Sequence, residues 1–250
     1  AKLLFDGKIE LKKQFAKDEE MIKKRSDKDE QESNRYSRFY NDEDVNKEAI
    51  LYLKLLAPFY NKNLGVKKIF DKAIQSHNNL MQIATIAQLS KNKIQIQDSI
   101  INKLASNKLY TYLLYKRLGE SKSENIFPAH FKNQKLVTTS QVFYEGNFKT
   151  VDTLVYLQTK SAAVKNVKGN VYVYKYKLDN DGPWYLALCG IQPFQSQQIY
   201  FNNLISDVKT QLDSTIPLQK QIDKAVTKEV LYYLKNTSSF FGSKSGYYNY

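Results

Sequence analysis

The side chains best suited to start a reaction are scarce in this sequence: two histidines, His77 and His130, and one cysteine, Cys189. A metal centre needs three or four convergent ligands. Two histidines argue against a His-rich centre, and a single thiol rules out both a cysteine-cluster zinc site and an intramolecular disulfide framework. His77 falls at a helix end and His130 at a helix start after Pro128, so both read as surface or capping residues. Cys189 lies in an apolar run beside Trp184 and Leu188, where a thiol behaves as an inert core group. The segment Asp179-Asn180-Asp181-Gly182 resembles the middle of a calcium loop, but that frame puts Lys177 at the first ligand and Leu188 at the bidentate glutamate. It reads instead as a hairpin turn.

Phosphate chemistry has no cradle either. The nine glycines are isolated, so neither a dinucleotide fingerprint nor a Walker loop can be drawn, and no G-x-S-x-G elbow occurs. Carboxylates beyond residue 46 are too sparse to suggest a general acid/base pair. What remains is a binding chemistry. Tyr172, Tyr174 and Tyr176 alternate along one predicted strand, with Lys175 and Lys177 between and beside them. Exposed aromatics flanked by cations stack bases. The same row equally packs beneath a helix or forms a protein interface, where tyrosine is favoured. The aromatic pairs Phe240-Phe241 and Tyr247-Tyr248 sit in a Ser/Gly/Asn-rich C-terminal stretch. That stretch reads as a frayed tail, or as one that docks on a neighbour.

The charge pattern bears on the partner. The net charge is +13, and residues 47–136 carry +10 of it, nearly all as Lys scattered singly or in pairs. Such a field favours acidic protein surfaces, nucleic acid or anionic lipid, although lysines on helix faces also serve solubility alone. Residues 17–30 hold 11 charges of both signs, which cancel; this is an exposed helix or a linker, not a basic arm.

The elements that must position these residues follow from periodicity. Residues 1–46 form a charged arm, with a hairpin turn or short helix around Asp6-Gly7. Helices are predicted near 47–59, 66–77, 79–90, 98–105 and 108–118, the last stopped by Gly119, and a sixth over 129–145. The first is apolar on more than half its circumference (Ile50, Leu51, Leu53, Leu55, Phe59), which predicts burial between neighbours. Short helices with a two-helix period of about 30 residues read as a helical-hairpin array, with a plain bundle as the alternative. The period then changes to two. Val151–Gln158, Val171–Leu178 and Trp184–Cys189 predict a three-stranded antiparallel meander. Helices over 196–212 and 217–235 follow, covering one face of the sheet. No run approaches the ~20 apolar residues of a membrane span.

The runs Lys68-Ile69-Phe70-Asp71-Lys72-Ala73, Ile100-Ile101-Asn102-Lys103-Leu104-Ala105 and Leu113-Leu114-Tyr115-Lys116-Arg117-Leu118 resemble helical-repeat regions of large Bacteroidota proteins. Gly182-Pro183-Trp184-Tyr185-Leu186 is similar to the sheet that follows such repeats. The resemblance implies a cell-envelope setting and an assembly role, and carries over no site residue. The expected fold is therefore mainly α within α+β: an arm (1–46), a hairpin array (47–146), an α+β domain (147–236) and a tail (237–250). The expected function is a non-catalytic scaffold that binds other protein subunits, without cofactor. The alternatives are nucleic-acid binding through the Lys-rich helices and the tyrosine strand, and a non-catalytic region of a larger enzyme.

Overall fold

The computed structural model describes residues 11–13, 16, 20, 47–145, 153–164, 167–193 and 210–240. The chain is mainly helical α+β and divides into two compact units, Ala1–Pro128 and Ala129–Tyr250. The division falls before the sixth helix rather than at 146. That helix packs on the sheet, so it belongs to the second unit. Of the charged arm, residues 11–13, 16 and 20 are helical, with Leu11 fully buried; the remainder lies outside the described residues.

The first unit contains α1 (Lys47–Leu56), α2 (Leu64–Ile74), α3 (Asn79–Lys91), α4 (Asp98–Ser106) and α5 (Thr111–Glu120). A 3-10 turn, Ala57–Phe59, extends α1. Asparagines start α2 and α3: Asn63 Oδ1 accepts from the Val66 amide at 3.1 Å, and Asn78 Oδ1 from the Met81 amide at 3.0 Å. α3 packs on α1, α2 and α5, and α5 packs on α3 and α4. Helices α1, α3 and α5 thus form one row, with α2 and α4 joined to it as hairpin partners. The central position of α3 explains its composition. A helix with neighbours on several sides is apolar nearly all round, and residues 81–87 of α3 are all buried. Outer helices α2 and α4 bury single stripes: Val66, Ile69, Phe70 and Ala73 in one, Ile101, Leu104 and Ala105 in the other. Gly119 does not end α5; the chain turns three residues later, where Lys122 takes a left-handed φ of 57°.

The second unit is a four-stranded antiparallel sheet of order β1-β2-β3-β4, with β1 Val155–Val164, β2 Val167–Tyr176, β3 Tyr185–Pro193 and β4 Thr210–Gln211. The meander is as expected, but its first hairpin is longer. Residues 159–164 and 167–170 alternate weakly, and the ladder between β1 and β2 carries them into the sheet. The fourth strand replaces the end of the helix expected over 196–212. Its Tyr185↔Gln211 pairing continues in the Leu212 amide, which donates to the Trp184 carbonyl at 2.8 Å. The rest of that expected helix lies outside the described residues.

Helices cover both faces of this sheet, not one. α6 (Gln134–Glu145) follows a 3-10 turn and is capped by Asn133, and it packs on β3. On its side of the sheet Val142 clusters with Tyr172, Tyr174, Tyr176, Ala187 and Cys189. α7 (Leu218–Phe240) packs on β1, and Ile222 clusters with Val171, Val173, Leu186, Leu188 and Ile191. Strict alternation along β2 sends valines one way and tyrosines the other. α7 runs five residues beyond the expected 235, so residues 237–240 are helix rather than tail.

Candidate interaction surfaces

β2 is an interior strand, paired on both edges, and its tyrosine face lies under α6. Tyr172, Tyr174 and Tyr176 are all buried. The hydroxyls of Tyr172 and Tyr174 meet polar residues of α6. The Tyr174 hydroxyl lies 2.9 Å from Thr138 Oγ1 and 3.0 Å from Thr139 Oγ1, and Tyr172 donates to Gln134 Oε1 at 3.0 Å. Tyr176 stacks on Tyr185 with ring centroids 5.6 Å apart. Desolvation pushes the Tyr174 hydroxyl far above its ordinary value, against a smaller lowering by the two threonines. The row is therefore a buried core in which the Tyr172 and Tyr174 hydroxyls are hydrogen-bonded, and it presents no ring face on which a base could stack.

The lysines predicted to flank that platform are on the other side. Lys175 and Lys177 follow Val171 and Val173 in the alternation, so they share no face with the tyrosines. Their ammonium groups lie 4.4 Å and 5.2 Å from the Trp184 ring centre, and Lys177 Nζ also donates to the Asn180 carbonyl at 2.8 Å. This splits the expected aromatic–cation surface in two. Period-two alternation was visible in the sequence and already separates the two sets. Of the tail aromatics, Phe240 is the last residue of α7, while Phe241, Tyr247 and Tyr248 lie outside the described residues.

The remaining candidates lie in the turn, the sheet core and exposed helix ends. Asp179–Gly182 is a turn closed by the Gly182 amide on the Asp179 carbonyl at 3.0 Å. Cys189 is fully buried, its Sγ 3.8 Å from the Thr138 carbonyl. His77 is exposed, and so is His130, whose ring leans on Phe131 at 4.0 Å. Among the described residues no group of three or more His, Cys, Asp or Glu could hold a metal. Among them, too, no helix is long and apolar enough to cross a membrane.

No protein-family model, curated protein or solved structure matches this chain.

One surface escaped the sequence reading. Helix α1 is not buried between neighbours all round. Ala49, Leu53 and Leu56 are buried, but Leu51 and Leu55 are 51% and 38% exposed, and Phe59 of the following 3-10 turn is 39% exposed. Leu64, which opens α2, is 69% exposed. Lysines surround this span: from Ala49 to Phe70 the chain carries Lys54, Lys62, Lys67 and Lys68, all exposed, and no carboxylate. Deeper in α2, Asp71 Oδ1 accepts from the Tyr60 hydroxyl at 2.9 Å. Burial first, and then that carboxylate, push the Tyr60 hydroxyl up to about 12. The clue in the sequence was the width of the apolar stripe on α1, which is more than one neighbouring helix can cover.

Proposed function

We propose that this chain is a non-catalytic protein-interaction module that joins other subunits of an assembly. The observation that supports this reading most is the packing order of the first unit. A row of helices backed by hairpin partners buries its core between successive helices and leaves long outer surfaces free. In this chain such surfaces carry the Lys excess, which favours acidic partners. The setting that accompanies this reading is a cell-envelope assembly, as the resemblance of the repeats implies.

The test is a pull-down from native extract at low and high salt, with and without nuclease, read by mass spectrometry. Under this reading a defined protein set survives both treatments. Recovery of nucleic acid, with partners lost on nuclease and salt, would replace it by nucleic-acid binding through the Lys-rich helices. The buried tyrosine row would contribute nothing to that alternative.

A further inference from the structure

Among the described residues, helix α3 of the row α1–α3–α5 packs against both α1 and α5, whereas the main helix contact of α1 is with α3. The end helix of such a row ordinarily turns a polar face outward. α1 does not. Leu51, Leu55 and Phe59 follow each other at i, i+4 and i+8, a spacing that forms one ridge along a helix surface. Among the described residues seven large hydrophobics are exposed, and four of them are these three and Leu64. The 3-10 turn that carries Phe59 packs against both α1 and α2, so Leu64 at the start of α2 continues the same region. Covering these half-exposed side chains removes further apolar surface from water, which favours a matching apolar surface at the ridge.

Charge decides what kind of surface. Residues 47–128 carry thirteen Lys or Arg against five Asp or Glu. Two copies meeting at this ridge would bring Lys54 and Lys62 against their own counterparts, and like charges at an interface oppose pairing. A partner with carboxylates beside its apolar stripe meets the same lysines with opposite sign. We propose that the Leu51–Leu55–Phe59–Leu64 ridge is the docking site for an acidic amphipathic helix of a partner protein. That helix lies on the outer face of α1 as the next member of the row. Its apolar residues pack on the ridge, and its Asp or Glu side chains face Lys54 and Lys62. This rests on the reading of the chain as a protein-interaction module and names the site and the partner class.

The experiment uses the whole chain and two labelled helical peptides of about five turns. Both carry Leu at i, i+4, i+7 and i+11; one has Glu and the other Lys at the remaining outer positions. Binding is read by fluorescence anisotropy at low ionic strength. The Glu peptide is expected to bind at least about tenfold more tightly than the Lys peptide. The double variant Leu51→Ser/Leu55→Ser should lose about tenfold or more, and Lys54→Glu/Lys62→Glu should reverse the preference between the peptides. These side chains are exposed, and an unchanged circular-dichroism melt confirms that each variant folds. No binding, equal binding of the two peptides, or indifference to these substitutions overturns the proposal. Sedimentation showing a dimer that Leu55→Glu dissociates also overturns it, because a second copy then covers the ridge. The pull-down repeated with Leu51→Ser/Leu55→Ser separates the two readings. The same protein set from both baits leaves the interaction module standing and removes this ridge as its site. No protein set from either bait takes down the module reading itself.

Discussion

Gly190 stands at a bulge where β3 fits two residues, Gly190 and Ile191, opposite Val171 of β2. Its φ of +138° is open to glycine alone, and a Cβ there would come within 2.3 Å of the Asn170 carbonyl oxygen. Backbone cannot give way as a flexible side chain does. Gly190→Ala should therefore destabilise the second unit by about 2 kcal/mol or more, read as a lower urea midpoint; a midpoint within error of wild type would refute this account of the bulge. Tyr174 makes a second prediction at the same scale. Removing its hydroxyl in Tyr174→Phe should cost about 1 kcal/mol at neutral pH, because Thr138 keeps its other partner, the Gln134 carbonyl at 2.8 Å. Above pH ~10 the difference narrows. The unfolded chain loses tyrosine protons from about 10 upward while burial keeps the Tyr174 hydroxyl protonated. The unfolded state then binds fewer protons, so stability is intact below pH ~10 and falls as pH rises above it. Tyr172 and Tyr176 shift in the same direction through burial and add to the effect. Tyr174→Phe should lose less stability than wild type between about pH 9 and pH 11, and an equal loss would sink the assignment. At this scale residue types were legible, including the buried thiol and the hairpin turn. Gly190's role was not, since a bulge is a mismatch between two strands and neither strand shows it alone.

At the scale of elements, α3 and α5 end the same way. After α3 the Ile94 amide donates to the Leu89 carbonyl and the Lys93 amide to the Ser90 carbonyl. After α5 the Ser123 and Lys122 amides do the same to Leu118 and Gly119. This pair of bonds needs a left-handed residue at its centre, and lysine fills it at both sites, with φ of 58° and 57°. A Cβ in that conformation costs roughly 1 kcal/mol or more. Lys93→Gly and Lys122→Gly should thus each raise stability by about 0.5–1 kcal/mol, after the larger entropy loss of glycine is subtracted. Thermal midpoints of the single variants and the pair check this; a lowered midpoint in both would mean that the lysine side chains contribute more than their strain costs. The helices themselves were largely legible because 3.6-residue periodicity, asparagine caps and short turns agree in each. Their ends were less so. Gly119 carried the usual stop signal, yet the helix ran through it. The breadth of the α1 stripe, more than half the circumference, predicted burial between neighbours, but not that Leu51 and Leu55 would stay exposed. Coverage is a property of the row, and periodicity within one helix cannot report it.

At the scale of the whole chain, the change of period near 146 marked a transition, but the two compact units divide after Pro128. Phe127 is buried and closes the first unit, its ring 5.0 Å from that of Tyr115 at the end of the helical row. Seven residues later α6 begins, the layer over the tyrosine face of the sheet. Each unit therefore has its own interior, and unfolding need not be a single event. The single tryptophan, Trp184, leads into β3, so its fluorescence reports the second unit alone. Far-UV circular dichroism is weighted toward the helices, most of which belong to the first unit among the described residues. In urea the two signals should give different midpoints. Gly190→Ala should move the tryptophan transition downward and leave the helical transition of α1 to α5 near its wild-type midpoint. Leu53→Ala, which empties a fully buried site in α1, should do the reverse at a cost of about 2–5 kcal/mol. If both substitutions shift both signals together, the two interiors unfold as one. The helical row could then not be treated as a separate platform, and its exposed ridge would have to be tested with the sheet unit as part of the same cooperative structure.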